Sequence, residues 1–314
     1  MLSGALFLVP GLLALLSPVP LIVGYRQHGT RHGVQAAAVG LCAAPTLALL
    51  AGGGGSAAAA VLLGYLLVPA AAGALLAWGV RVTANGAGAL VLGITGYLVF
   101  LAALLGVFGL LAPGSLGDQA AGWVDQSLNA FSEAGRERAA QDVELVEVLA
   151  DVQARHGWYR RWGVLLLPSI TASVVALGFW LNLVYARWFV GGKDENDDLS
   201  TWRLPHLAIL LFMGCTAGVV FQFGPIGELF PRSTALLAAS TNGLVFLGTL
   251  YWLQGVAVVN HWFLRLPIGP GFRLMGVAAQ ALTMMFPPTS ALFGVAGLAD
   301  AWFDLRQLDG QEDA

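Results

Sequence analysis

Ionised residues are placed along the chain so that seven long stretches carry none of them. These are the residues before Arg26 and the intervals Arg31 to Arg81, Arg81 to Asp118, Arg161 to Arg187, Arg203 to Glu228, Arg232 to Arg265 and Arg273 to Asp300. An ionised side chain costs roughly 2.5–3.5 kcal/mol at the centre of a bilayer. A helix crosses the hydrocarbon with about 20 apolar residues. Six stretches have room for one crossing each. The stretch between Arg31 and Arg81 has room for two, divided at the glycine run 52–55, where a tight turn is expected. The pattern predicts an all-α, polytopic transmembrane bundle of about eight spans, near 2–23, 34–50, 57–78, 87–111, 162–185, 205–223, 234–263 and 274–299.

One segment breaks the pattern. Between Pro113 and Arg161 the chain gathers eight acidic residues and five arginines, so that segment is expected outside the membrane. Within it Val143, Val146, Leu149 and Val152 recur at three-residue steps among acids, which predicts an amphipathic helix. Trp123, Phe131, Trp158 and Tyr159 are suited to the headgroup level. The organisation is then a four-span half (1–112), an extramembrane helical insert (113–161) and a second four-span half (162–314) with a short polar tail. No residue-level match between the halves marks a repeat. Pro287 and Pro288 predict a kink in the last span.

Composition agrees with the spacing. Apolar residues make up 57% of the chain and charged residues 11%. Soluble domains hold about 45–50% and about 25%. Mean hydropathy is +0.75. The first nine residues carry no positive charge, so the opening segment reads as a span rather than a secretory signal. The expected location is the bacterial cytoplasmic membrane, with the lipid bilayer as first partner. Net charge is −3 and the basic residues stand singly or in pairs, which argues against nucleic acid. Alternation of spans puts Arg26, Arg31, Arg81, Arg187, Lys193, Arg203, Arg265 and Arg273 on one face. It puts Arg136, Arg138, Arg155, Arg160, Arg161, Arg232 and Arg306 on the other, a balance that sets no orientation.

Candidate chemistry is sparse. No nucleophile elbow, zinc-protease helix, phosphate loop or calcium loop is present, so no enzyme activity, metal or cofactor is expected. Cys42 and Cys215 lie in separate spans without ligand-spaced partners and read as small packing residues. The only carboxylates near a span, Glu228 and Asp300, fall at span ends, which disfavours a proton relay. Asp300, Asp304 and Arg306 read as a solvated helix end or a partner contact. Polar residues collect in the seventh span. There Asn242, Thr249 and Asn260 share one helical face, with Gln254 and His261 on another. Such groups either bond neighbouring helices or line a substrate path. Arg26, His28, Arg31 and His32 follow Pro18 and Pro20 and read as a basic loop, either a charged flank or the mouth of an anion path. The candidate substrate-binding residues are therefore Asn260, His261, Gln254, Asn242, Arg26 and Arg31. Gly214 and Gly218 form a Gly-x-x-x-Gly pair suited to close helix packing.

Three strings carry a resemblance. Ser17-Pro18-Val19-Pro20-Leu21 with Gly29-Thr30-Arg31-His32-Gly33 resembles the opening of the YybS-like family of uncharacterised bacterial membrane proteins, a domain of unknown function. Trp202-Arg203-Leu204-Pro205 and the terminal Gly297-Leu298-Ala299-Asp300-Ala301-Trp302-Phe303-Asp304-Leu305-Arg306 resemble features of the same family. The opening is also similar to the S components of energy-coupling-factor vitamin transporters, although those usually have about six spans and lack a large insert. The resemblance implies a membrane-embedded small-molecule binder. Two functions follow as expectations. One is transport-related binding of a small molecule between transmembrane helices. The other is a non-transporting scaffold that recruits a membrane protein partner through the insert or the C-terminal segment.

Overall fold

The structure, a computed structural model, describes residues 17–50, 55, 59, 64, 70–82, 86–111, 115–139, 143–190, 202–223, 233–266 and 287–306. Among these residues regular structure is helical, with no strand. The main helices are α1 (Val19–Leu50), α2 (Ala71–Val82), α3 (Gly86–Leu111), α4 (Leu116–Ala139), α5 (Val143–Ala154), α6 (His156–Val190), α7 (His206–Phe223), α8 (Thr234–Arg265) and α9 (Pro287–Phe303). Two stretches, His156–Ala186 and Thr234–Phe263, are long and apolar enough to cross a membrane, and Gly88–Ala103 and His206–Gln222 are shorter apolar helices. The expected spans near 87–111, 205–223 and 234–263 coincide with α3, α7 and α8 within two residues. Most of the span near 2–23, half of that near 57–78, glycines 52–54 and the first half of the span near 274–299 lie outside the described residues.

Helix α1 corrects the expected basic loop. Helix tolerates proline in its first turn, where an N–H lacks a partner anyway. The chain becomes helical immediately after Pro18, whose carbonyl accepts bonds from Leu21 and Ile22 at 3.0 Å. It stays helical past Arg26 and Arg31, apart from a break at Gly29 with φ 78° and ψ −179°. A side chain there would be strained. The break bends the helix enough for the Tyr25 ring to contact Gly33, a pair that a straight helix holds about 12 Å apart.

The chain forms two compact units, each drawn from separate stretches of sequence. The first comprises Met1–Val99, Ser173–Leu210 and Leu247–Ala314. Its helices meet at small residues, the usual device where packing rather than a hydrophobic drive holds helices together. Leu21 of α1 packs over Gly73 of α2, and a Cβ on Gly79 of α2 would lie 2.7 Å from the Ala89 carbonyl oxygen of α3. Gly93 admits Leu76 and Phe179, and Tyr97 stacks at 5.3 Å from Phe179. α8 and α9 cross backbone to backbone, with Gly255 against the Phe293 carbonyl and Gly297 against that of Tyr251. All eight residues from 251 to 258 are buried, so protein surrounds α8 over two turns.

The second unit comprises Phe100–Ala172 and Leu211–Phe246. Within it α4 and α5 pair through Leu149 packed on Gly135. The buried stripe of α5 differs from the expected one. Leu149 and Val152 are buried with Leu145 beside them, while Val146 is exposed. Three-residue steps slip about 60° backwards each time, whereas i, i+4 and i+7 stay on one face. α4 meets α6 where Val124 covers Gly163 and Arg160 pairs with Asp125 at 3.0 Å. On α7 the glycine pair divides: Gly218 packs against Ser240 of α8, while Gly214 has no atom within 4 Å of its would-be Cβ. Cys215 abuts Gly243. The described part of the last span is helical from Pro287, and the expected kink adjoins residues outside the described ones.

Candidate functional site

A charged cluster is enclosed in the first unit. α9 ends at Phe303, and Asp304 follows with φ 43°, the one non-glycine residue with positive φ among the described residues. Its N–H bonds the Asp300 carbonyl at 3.0 Å, capping the helix. This left-handed residue turns the chain back, so that Arg306 reaches Asp300 six residues earlier, beyond the spacing of a straight helix. The guanidinium donates through Nε to Asp300 Oδ1 at 3.1 Å and through Nη2 to Oδ2 at 2.7 Å. Both side chains are 0% exposed.

The pair is tied to irregular backbone. Residues 202–205 are non-helical, and Trp202 and Leu204 are buried. Buried peptide groups outside a helix need partners, above all in a membrane protein. Arg306 Nη2 donates to the Trp202 carbonyl at 2.8 Å. The Leu204 N–H donates to Gln254 Oε1 at 3.1 Å, and Gln254 Nε2 donates to Asp300 Oδ2 at 2.9 Å. Asp304 faces Arg203 at 3.9 Å. One carboxylate, one guanidinium and one carboxamide thus fasten three separate segments of chain. The cluster is a clasp, and its enclosed groups are committed to each other.

This geometry corrects two expectations. Asp300 and Arg306 do not form a solvated helix end, because the turn at Asp304 folds the arginine inward. Nor do Arg203 and Arg306 lie on opposite faces, since the Arg306 guanidinium touches the residue next to Arg203. α9 therefore ends level with the segment that precedes α7.

The polar residues of α8 go to distinct places. Asn242, in the second unit, bridges a broken turn of α6. Pro168 lacks an N–H and interrupts that helix's ladder. Asn242 Oδ1 accepts from Ser169 N at 2.9 Å, and its Nδ2 donates to the Leu165 carbonyl at 2.7 Å. The carboxamide thus stands between two groups that a regular helix joins directly. Thr249 donates to Ser173 Oγ at 2.8 Å in the first unit. Gln254 belongs to the clasp. His261 is buried and lies edge-on to Trp262, and Asn260 is partly exposed. Arg31 is exposed on α1, and the side chain of Arg26 lies outside the described residues. Among the described residues no three His, Cys, Asp or Glu side chains form a metal-holding group.

Sequence reasoning singled out the Trp202–Pro205 string and the terminal string but did not bring them together. Pro168 carried no sign of its partner 74 positions away. No curated protein and no solved structure matches the chain. A family match covers residues 1–301, consistent with the YybS-like resemblance: the chain belongs to the family described as "Predicted membrane protein (DUF2232)".

Proposed function

We propose that the protein is a multi-pass integral protein of the bacterial cytoplasmic membrane that serves as a rigid scaffold for a protein partner. In this reading α6 and α8 are crossings, and α9 ends level with Leu204. The α4–α5 hairpin stands outside the membrane. Family membership supports the membrane setting, as do large apolar side chains exposed on apolar helices, such as Val174 on α6, Leu210 on α7 and Leu292 on α9. Such faces are stable against lipid and costly against water.

One observation carries the scaffold reading. Asn242, Thr249 and Gln254, three polar residues spread along α8, bond to protein partners on other segments. Groups used in this way hold a bundle in one arrangement. The exposed Val146 and Val148 of α5, set among Glu144 and Glu147, give the hairpin a surface for a partner.

A second reading, binding of a small molecule between helices, is favoured by Asn260. It is partly exposed and adjoins buried His261. Thermal unfolding of the purified protein against a panel of metabolites and vitamins separates the two. The scaffold reading expects no compound to raise the transition temperature. A compound that stabilises the wild type but neither Asn260→Ala nor His261→Ala replaces it with the binding reading.

A further inference from the structure

One exposed sector of α4 differs from the rest of the helix. At 100° per residue, Trp123, Ser127, Ala130, Phe131 and Ala134 fall within a sector of about 100°. All five are exposed and none is charged; Arg138 enters the same sector one turn later, at the end of the helix. Asp118, Asp125, Glu133 and Arg136 lie on other sectors of the helix. A helix with an uncharged aromatic stripe opposite an ionised side suits the plane of a membrane interface. The acids within α4, and its length of polar sequence, exclude a crossing.

Contacts with α6 fix the level of this stripe. The charges at the start of α6 end at Arg160 and Arg161, and an apolar run without ionised residues extends from Trp162 to Ala186. Trp158 lies 6.0 Å from Trp162 and 5.1 Å from Tyr159, an aromatic group of the kind found at headgroup depth. α4 touches α6 at this boundary, through Asp125 on Arg160 and Val124 on Gly163. Trp123, next to Val124 and 58% exposed, is thereby held where the apolar run of α6 starts.

We propose that the Trp123–Ala134 stripe of α4 docks on the bilayer interface, its partner being the headgroup and upper acyl region of the lipid that surrounds α6, with Arg138 at the headgroup level. The proposal rests on the reading of α6 as a span. It leaves α5 as the hairpin surface open to a protein.

Site-directed spin labelling of the full chain in phosphatidylcholine nanodiscs tests this, with Cys42 and Cys215 replaced by alanine. Labels go at Ser127 on the stripe, at Glu133 on the ionised side and at Val174 on the exposed face of α6. The ratio of collision rates with oxygen and with a water-soluble nickel chelate should be several-fold higher at Ser127 than at Glu133, approaching that at Val174. Equal ratios at Ser127 and Glu133 overturn the proposal, as does shielding of Ser127 from both reagents, which assigns the face to a protein contact. A Val174 label accessible to nickel overturns the reading of α6 itself.

Discussion

Arg306 lies 2.7 Å from Asp300, and neither side chain has any exposed surface. Breaking such a pair from one side leaves a buried charge, whereas removing both charges can be nearly neutral. Asp300→Asn or Arg306→Met should each lose about 3–5 kcal/mol in detergent unfolding measurements. The double variant Asp300→Asn with Arg306→Met should lose clearly less than the sum. Additive losses would show that the two residues act independently.

Asn242 and Ser169 form a second test of the bundle. Asn242→Ala leaves a peptide N–H and a carbonyl of α6 without their bridge and should cost about 1–3 kcal/mol. Exchange of the Ser169 amide with solvent deuterium should accelerate. In a Pro168→Ala background the ladder of α6 can close directly, so the same substitution should cost less.

Gly255 and Gly297 set the crossing of α8 and α9. A Cβ at either position meets a backbone carbonyl, which cannot rotate away. Gly255→Ala and Gly297→Ala should each destabilise by at least the roughly 1–3 kcal/mol typical of overpacking. Gly214→Ala, open around its Cβ site, should leave the unfolding transition where it is.

Ser115 caps α4 in a reciprocal arrangement with Asp118. The hydroxyl donates to Asp118 Oδ2 at 2.6 Å and accepts from the Asp118 N–H at 3.1 Å. The Ser115 hydroxyl bond first, a bond from the Ser115 backbone N–H next and the charge of Arg160 last hold the Asp118 carboxyl below its usual value. Stabilisation from a lowered carboxylate is complete above the unfolded value of about 3.9 and fades as pH falls through the folded one. Carboxyl carbon shifts should show Asp118 titrating below the ordinary aspartate value, and Ser115→Ala should move it upward. An unchanged midpoint in that variant would rule out the cap as the cause.

Much of the helical layout was legible because charge and hydrocarbon exclude each other. That exclusion marks the limits of α3, α7 and α8 to within two residues. It says nothing of which polar groups meet inside. Asp300 looked like a solvated end because its burial depends on a left-handed turn at Asp304, a conformation that aspartate adopts only when its surroundings hold it there. The basic segment looked like a loop because prolines and charges usually end helices, yet Pro18 and Pro20 start one. The bond between Asn242 and α6 leaves no local trace, since a proline in a span does not say what repairs it. Of the candidate residues, Gln254 and Asn242 were legible as polar groups in an apolar helix. Their partners on other segments were not.

Sided labelling of α6 and α8 tests the membrane account most directly. Gln153→Cys, on α5 just before α6, and Leu266→Cys, just after α8, are exposed positions in the described chain. With the native cysteines replaced, an impermeant maleimide applied to sealed vesicles of each orientation should modify the two from opposite sides. Modification of both from one side, or a chain that stays in solution without detergent, would contradict it.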